Sequence, residues 1–138
     1  MLTYSSFLSA DFTRDGTTEV VSDTVTTLTW QDTNASHSNL KTWEAALNYC
    51  ENLNFANSTA WRLANVNELT TLVDRTKKKL VIDDAFQYVG QQDITLYWTS
   101  STALDHLKNK SWAINLAKGS ISGKLKTQTA HSICVKDN

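Results

Sequence analysis

The sequence predicts a single α+β domain over residues 1–138, with two helices packed on a small twisted antiparallel sheet and a long loop region. A chain of 138 residues has the usual size of one domain and can bury about two thirds of its unfolded surface. Hydrophobic residues at 41% and charged residues at 20% are typical of a globular protein. Strand-like segments lie on both sides of two helix-like segments, an order that favours an antiparallel sheet.

The first strands are predicted in the stretch 11–31, which is rich in Thr and Val. These residue types favour strands, whereas Asp-Gly and Ser-Asp pairs favour turns. We expect strands around 20–21 and 28–30, with a turn near 23–24. A polar loop is expected over 32–39.

The first helix is predicted over about 42–53. Apolar side chains recur there at helical spacing and form one continuous stripe. This stripe consists of Trp43, Ala46, Leu47, Cys50 and Leu53. Thr42 has the side chain of a helix N-cap. The thiol of Cys50 is therefore expected to point into the core.

A strand that turns directly into a helix is predicted at the centre of the chain. Trp61 and Leu63 alternate with polar or small residues, as in a half-buried strand. Asn65 and Glu68 have the spacing of a capping box, which predicts a second helix over 66–74. Arg62 is expected to hydrogen-bond a carboxylate or loop carbonyls, so we interpret it and Glu68 as structural rather than functional residues.

The last part of the chain is predicted to form a loop followed by strands. The loop covers 75–95, and loops of that length in compact domains are usually functional. Short alternating segments then predict strands at 96–101, 111–117, 120–126 and 132–136. The aromatic residues on these strands and helices are predicted to lie in the core. They include Trp30, Trp43, Trp61, Trp98 and Trp112.

The net charge of −1 hides an asymmetry between the two halves of the chain. Residues 1–69 contain three basic and eight acidic side chains, whereas residues 70–138 contain ten basic and six acidic ones. A basic surface attracts sulfated or phosphorylated polyanions if folding gathers it on one face; otherwise these residues are ordinary solvated loops. The candidate ligand-binding residues are Arg75, Lys77, Lys78, Lys79, Lys108, Lys110, Lys118, Lys124 and Lys126.

The two cysteines allow two interpretations. Cys50 and Cys134 either form a disulfide or remain two separately buried thiols. A disulfide closing a loop of about 85 residues would stabilise the domain by roughly 4 to 5 kcal/mol at most. It would also place the domain in an oxidising compartment.

No catalytic or metal-binding motif is found in the sequence. There is no GxSxG elbow, no HxxxH or CxxC pair and no glycine-rich phosphate loop among the four glycines. His37, His106 and His131 fall in polar segments or at a strand start, which favours a surface position over a catalytic triad. Asp83 and Asp84 are the candidates for a calcium site, but the chain lacks the Glu-Pro-Asn signature of sugar-binding lectins, which favours a helix cap or a solvated pair. We therefore expect neither enzymatic activity nor a bound metal or cofactor.

The sequence contains no segment that predicts a membrane-spanning helix or a signal peptide. The chain lacks an apolar run of about 18 residues, the length that a membrane-spanning helix requires. Its first twelve residues lack the basic and apolar regions of a signal peptide. The chain is therefore expected to be cytosolic or a piece of a longer exported protein.

Seven segments of the chain follow one another in an order that is specific in combination: residues 12–32, 43–54, 61–74, 82–86, 97–101, 111–121 and 133–136. Together they resemble the Lcl C-terminal domain family of bacterial collagen-like adhesins. The resemblance implies a C-type-lectin-like fold of the variety shared with formylglycine-generating enzymes, with paired N- and C-terminal strands. It also implies a Cys50–Cys134 disulfide. The chain departs from the family at Ala64, where Pro is common, and at Thr27, where Gly is common.

The resemblance implies a non-catalytic recognition domain at a bacterial cell surface, exported as part of a longer chain. A known family member binds sulfated glycosaminoglycans, so we expect an anionic glycan as ligand, although the lysine positions are not part of the motif. The alternatives are a module that trimerises or caps a fibre, and a domain that binds a peptide or surface protein. Neither nucleic acid binding nor membrane insertion is expected. Formylglycine-generating activity is not expected because it needs two reactive cysteines near the C-terminus.

Overall fold

The computed structural model describes residues 10–77, 81–91, 96–104 and 106–138, and for His37 the backbone only. The strands in these residues are β1 Phe12–Asp15, β2 Val20–Asp23, β3 Leu28–Gln31, β4 Arg62–Leu63, β5 Leu96–Thr102, β6 Lys110–Asn115, β7 Ile121–Leu125 and β8 Cys134–Asp137. The helices are α1 Asn34–Ser38, α2 Trp43–Glu51 and α3 Val66–Thr70. The predicted α+β class is thus confirmed.

The strands form two antiparallel sheets instead of the single sheet that was predicted. The first sheet has the order β1-β2-β3-β8-β4, so the last strand of the chain lies between two early ones. The second sheet has the order β5-β6-β7. The contact between Tyr97 and His131 is an isolated parallel bridge, too short to merge the two sheets into one.

The second sheet separates two apolar clusters. Tyr97 and Ile114 belong to one cluster, whereas their neighbours Trp98 and Ala113 belong to the other. This division follows from the strand geometry, because successive side chains point to opposite faces. Strands β5 and β6 are therefore buried on both faces around these residues, and β7 is left as an exposed edge.

Three local predictions need correction. The stretch 32–39 is not only a loop, because Thr33 caps the short helix α1. Strand β1 was not predicted as a separate strand. Helix α3 ends at Thr70 rather than at residue 74, because Val73 leaves the helix to bridge Ile82.

The tryptophan predictions are confirmed for three of the five residues. Trp30, Trp61 and Trp98 are buried. Trp43 and Trp112 are only half-buried. Trp43 is the first residue of α2, and its indole N–H donates to the carbonyl of Thr99. Trp112 pairs with Gly123, which has no side chain to cover the ring.

In the part of the chain that the structure describes, no helix has the length and apolar character needed to cross a membrane.

Candidate functional site

The strand-to-helix junction has the structural role predicted for it. Asn65 Oδ1 accepts from the Glu68 N–H, and Glu68 Oε1 accepts from the Asn65 N–H at 3.0 Å, which completes a capping box. Arg62 donates to both carboxylate oxygens of Glu68 at 2.6 and 2.7 Å, and to Asp137 at 3.1 Å. These contacts fix α3 to β4 and to the final strand and occupy the groups that would otherwise suggest a functional site.

The Glu68 carboxylate makes the stability of this junction depend on pH. Burial by itself would raise its pKa, but the hydrogen bonds from Arg62 and Asn65 and the charge of Arg62 outweigh burial, so the pKa lies below its ordinary value of 4.5. A carboxylate whose pKa is lower in the folded state stabilises the protein above its unfolded pKa. That stabilisation is lost as the pH falls through the folded value.

We expect Glu68→Gln to lower the free energy of unfolding by about 1 kcal/mol at neutral pH, because the pair with Arg62 is partly exposed. The difference from the wild type should shrink as the pH falls below 4.5, where the wild-type carboxylate becomes protonated. Urea unfolding of both proteins at pH 7 and at acid pH measures this difference in the free energy of unfolding. Glu51→Gln, at an exposed position of α2, is the control. A difference that stays constant with pH would contradict the prediction.

A disulfide joins the first long helix to the final strand. Cys50 on α2 and Cys134 on β8 are bonded, with a Cα–Cα distance of 5.3 Å, and both residues are fully buried. The bond lies in the apolar cluster that also contains Trp61 and Trp98. This confirms the disulfide that the family resemblance implied, and such a bond indicates an oxidising compartment.

Asp32 is a buried carboxylate in the stretch 32–39, which the sequence predicts to be a polar loop. One oxygen accepts from the N–H groups of Tyr88 and Val89 at 3.1 and 3.0 Å. The other accepts from the Gln87 N–H at 2.8 Å and from Arg14 Nε at 2.9 Å. The side chain therefore fixes the end of the long loop against β3. No periodicity or short motif marks this role, because the donors lie 55 to 57 residues away in the chain or on β1.

Three of the predicted ligand-binding residues are held by contacts within the protein. Arg75 donates to the carbonyl of Gly119 at 2.9 Å. Lys77 donates to Asp84 Oδ1 at 3.0 Å and to the carbonyl of Ile82 at 3.1 Å. Lys126 donates to Thr102 Oγ1 and to the Lys108 carbonyl, and its ammonium lies 4.0 Å from the centre of the Trp43 ring. Lys77 and Lys126 are thus mainly structural.

The remaining predicted ligand-binding residues differ in whether their side chains can contact an external ligand. Lys78 and Lys79 lie outside the described residues. Lys108 is exposed at a turn position with a φ of 54°. The ammonium groups of Lys110, Lys118 and Lys124 make no hydrogen bond or ion pair with any described residue; we call these three residues the open lysines. They are the best candidates for contacts with an external anion.

Folding spreads these residues along β6 and β7 instead of gathering them at one point. Lys110 begins β6, and Lys124 pairs with Ser111 beside it. Lys118 follows the opposite end of β6, a strand about 17 Å long at the usual rise per residue. Arg75 donates to the carbonyl of Gly119, next to Lys118, so Arg75 also lies at this end. Because successive side chains of a strand alternate, Lys110 and Lys124 extend from opposite faces of the sheet, and the basic residues lie on both faces.

The sequence model described as the Lcl C-terminal domain matches residues 19–136, which is most of the chain. The chain belongs to the Lcl C-terminal domain family. No curated protein matches it.

This Lcl C-terminal domain contains a groove beside α2 that is a poor site for an anion. The groove has a volume of about 720 Å³ and is lined in part by Trp43, Glu44, Glu51 and Lys126. The two carboxylates oppose an anionic ligand, and the ammonium of Lys126 already contacts Trp43. The basic second sheet is therefore the better candidate in this Lcl domain.

Several titratable side chains of this Lcl domain, within the part that the structure describes, have structural contacts. Among the described residues, no group of three or more His, Cys, Asp or Glu side chains is placed to hold a metal ion. Asp83 accepts from the Ala85 N–H, and Asp84 pairs with Lys77. Burial raises the pKa of Tyr97 to about 12, which keeps its hydroxyl protonated.

The predicted surface position is wrong for one histidine of the Lcl domain. His106 is exposed. His131 is half-buried, because its ring packs 5.3 Å from that of Tyr97 between the two sheets.

Proposed function

We propose that this Lcl C-terminal domain is a non-catalytic recognition domain that acts outside the cell, at a bacterial surface, and binds an anionic glycan such as a sulfated glycosaminoglycan. The observation that carries the proposal is the charge of the second sheet and its flanks. Residues 96–126 contain five basic side chains and one acidic side chain. The open lysines within this segment have no partner among the described residues.

The distribution of these charges favours a long polyanion over a small anion. Lys110 and Lys118 lie near opposite ends of β6, a strand about 17 Å long. One sulfate or phosphate cannot bridge that distance, whereas a chain of sulfated sugars presents anions at several positions along it. Exposed cations also attract such a chain over a range of about one Debye length, so the interaction should weaken with salt.

The disulfide supports the proposed location. Disulfides form and persist in oxidising environments such as the cell exterior. The Cys50–Cys134 bond is therefore consistent with an exported protein.

We expect the triple substitution Lys110→Ala, Lys118→Ala and Lys124→Ala to weaken binding to immobilised heparin by about threefold to a hundredfold, since each exposed ion pair contributes about 0.2 to 1 kcal/mol. Surface plasmon resonance at several salt concentrations measures the loss.

The matched control removes the same net charge elsewhere. It combines Lys41→Ala, Lys77→Ala and Lys136→Ala, whose ammonium groups contact the Tyr49 ring, Asp84 and the Trp61 ring. An equal loss in both triple variants would show that only net charge matters. No loss in the open-lysine variant would reject the site.

A second candidate function is assembly, as a trimer or a fibre cap, and exposed apolar side chains favour it. Leu104 and Leu107 are 98% and 64% exposed, and β7 is an unpaired edge within the described strands. Light scattering separates the two functions. A concentration-independent trimer without affinity for heparin supports assembly, whereas a monomer that binds heparin supports recognition. A trimer that binds heparin fits both, because linked sites gain avidity.

A further inference from the structure

Gly123 lies in the middle of β7 without a conformational reason to be glycine. Its φ is outside the left-handed region, and a Cβ added there would make only ordinary contacts. These contacts would be 3.7 Å to Ala103 Cβ, 3.7 Å to Lys110 Cδ and 4.0 Å to Trp112 Cζ3. Neither backbone strain nor a steric clash therefore requires glycine at this position.

Glycine inside a strand lowers the stability of the protein, so its presence at this position needs a reason other than backbone conformation. It is less stable there than alanine by roughly 0.5 to 1 kcal/mol, and it often marks a place where a ligand or another backbone approaches closely. Here the missing side chain leaves a bare, exposed surface between Trp112, Lys110 and Ala103. We call this surface the Trp112 platform.

The platform combines an aromatic ring with a cation that has no partner among the described residues. Trp112 pairs with Gly123, and Lys110 pairs with Leu125, so all four residues point to the same face of the sheet. Trp112 is half-buried, and Leu125 is 37% exposed. Lys110 is one of the open lysines. Apolar and aromatic surface with a few placed polar groups is the usual composition of a small-ligand site.

We propose that the Trp112 platform is the subsite that takes one sugar ring of an anionic glycan. The apolar face of a pyranose stacks on the indole over Gly123, and a sulfate or carboxylate of the same sugar pairs with the Lys110 ammonium. This inference rests on the proposed function and adds to it the recognition of a sugar ring, since the open lysines alone would bind any polyanion.

The test is Gly123→Val with two probes of similar negative charge, a heparin-derived hexasaccharide and inorganic polyphosphate. Valine fills the platform while keeping Trp112 and all lysines, and it favours a strand. We expect the affinity for the hexasaccharide to fall about tenfold, equivalent to 1.4 kcal/mol, and the affinity for polyphosphate to change by less than about twofold. Isothermal titration calorimetry measures both.

Two further variants separate the effect of filling the Trp112 platform from a general disturbance of strand β7. Ser122→Val adds a similar side chain on the same exposed edge strand but on the opposite face, so we expect it to leave both affinities unchanged. Gly123→Ala is the milder variant, with an intermediate loss, and it carries the test if thermal unfolding shows that the valine variant is not folded.

The possible results distinguish a failure of the sugar subsite from a failure of the proposed glycan binding. Equal losses for both probes, or no loss for the hexasaccharide, would overturn the platform as a sugar site. Hexasaccharide binding that survives Gly123→Val but is lost in the open-lysine variant would overturn the platform alone. A wild-type domain that binds neither probe would overturn both proposals. A change in molecular mass without a change in affinity would assign the platform to contact between copies of the chain.

Discussion

Removing the disulfide through Cys50→Ala and Cys134→Ala is expected to lower the free energy of unfolding by about 4 to 5 kcal/mol. The bond spans 84 residues of sequence, so without it the unfolded chain gains a large conformational freedom. The estimate is an upper value, because residual structure in the unfolded state reduces the entropy gained. A loss of this size is a large fraction of the stability of a small domain.

Denaturant unfolding with and without a thiol reductant measures this contribution. The wild type in reductant should approach the stability of the double variant, and the double variant should not respond to reductant. Hydrogen exchange should also show reduced protection in α2, because the bond attaches this helix to β8. A wild type whose unfolding midpoint is the same in oxidised and reduced form would contradict the prediction.

Asp32→Ala is expected to destabilise the domain by about 3 to 5 kcal/mol, the usual effect of breaking a buried ion pair. The substitution removes the closer of the two carboxylates that pair with Arg14, whose side chain is 10% exposed, and leaves only Glu19 at 3.9 Å. It also leaves the N–H groups of residues 87–89 without their acceptor. Buried donors that lose their acceptor carry the full cost of desolvation.

Urea unfolding of Asp32→Ala beside Asp83→Ala measures this effect against a matched carboxylate. Asp83 accepts from a single backbone N–H, that of Ala85, and is half-buried, so its loss should be within about 1 kcal/mol. Adding Arg14→Ala to Asp32→Ala should cost less than Arg14→Ala alone, because the two residues share one interaction. A loss below about 1 kcal/mol for Asp32→Ala would contradict the structural role assigned to it.

The elements set by local sequence were predicted best. Thr42 caps α2, and Asn65 and Glu68 close the capping box of α3, as their spacing indicates. These contacts join residues within three or four positions, so a short window of sequence contains both partners. The end of α3 was predicted too late, because the bridge between Val73 and Ile82 competes with the helix.

The candidate site was predicted only in part. The sequence identifies the basic residues but cannot separate Lys77, which is bound to Asp84, from Lys110, which has no partner among the described residues. It also gives no indication that Gly123 lies opposite Trp112, because that pairing depends on the register of β6 and β7. The proposed Trp112 platform was therefore not predicted, although a glycine between alternating strand residues was a usable signal.

The sequence alone determined the α+β class, the helix caps and the family of this chain, because each depends on residue types at fixed, mostly short spacings. The tertiary structure decided that the strands divide into two sheets, that Asp32 anchors the loop end at 87–89, and which lysines are left open for a ligand. These outcomes depend on contacts between residues far apart in the chain. Such contacts exist only after packing and strand register have placed the distant segments side by side.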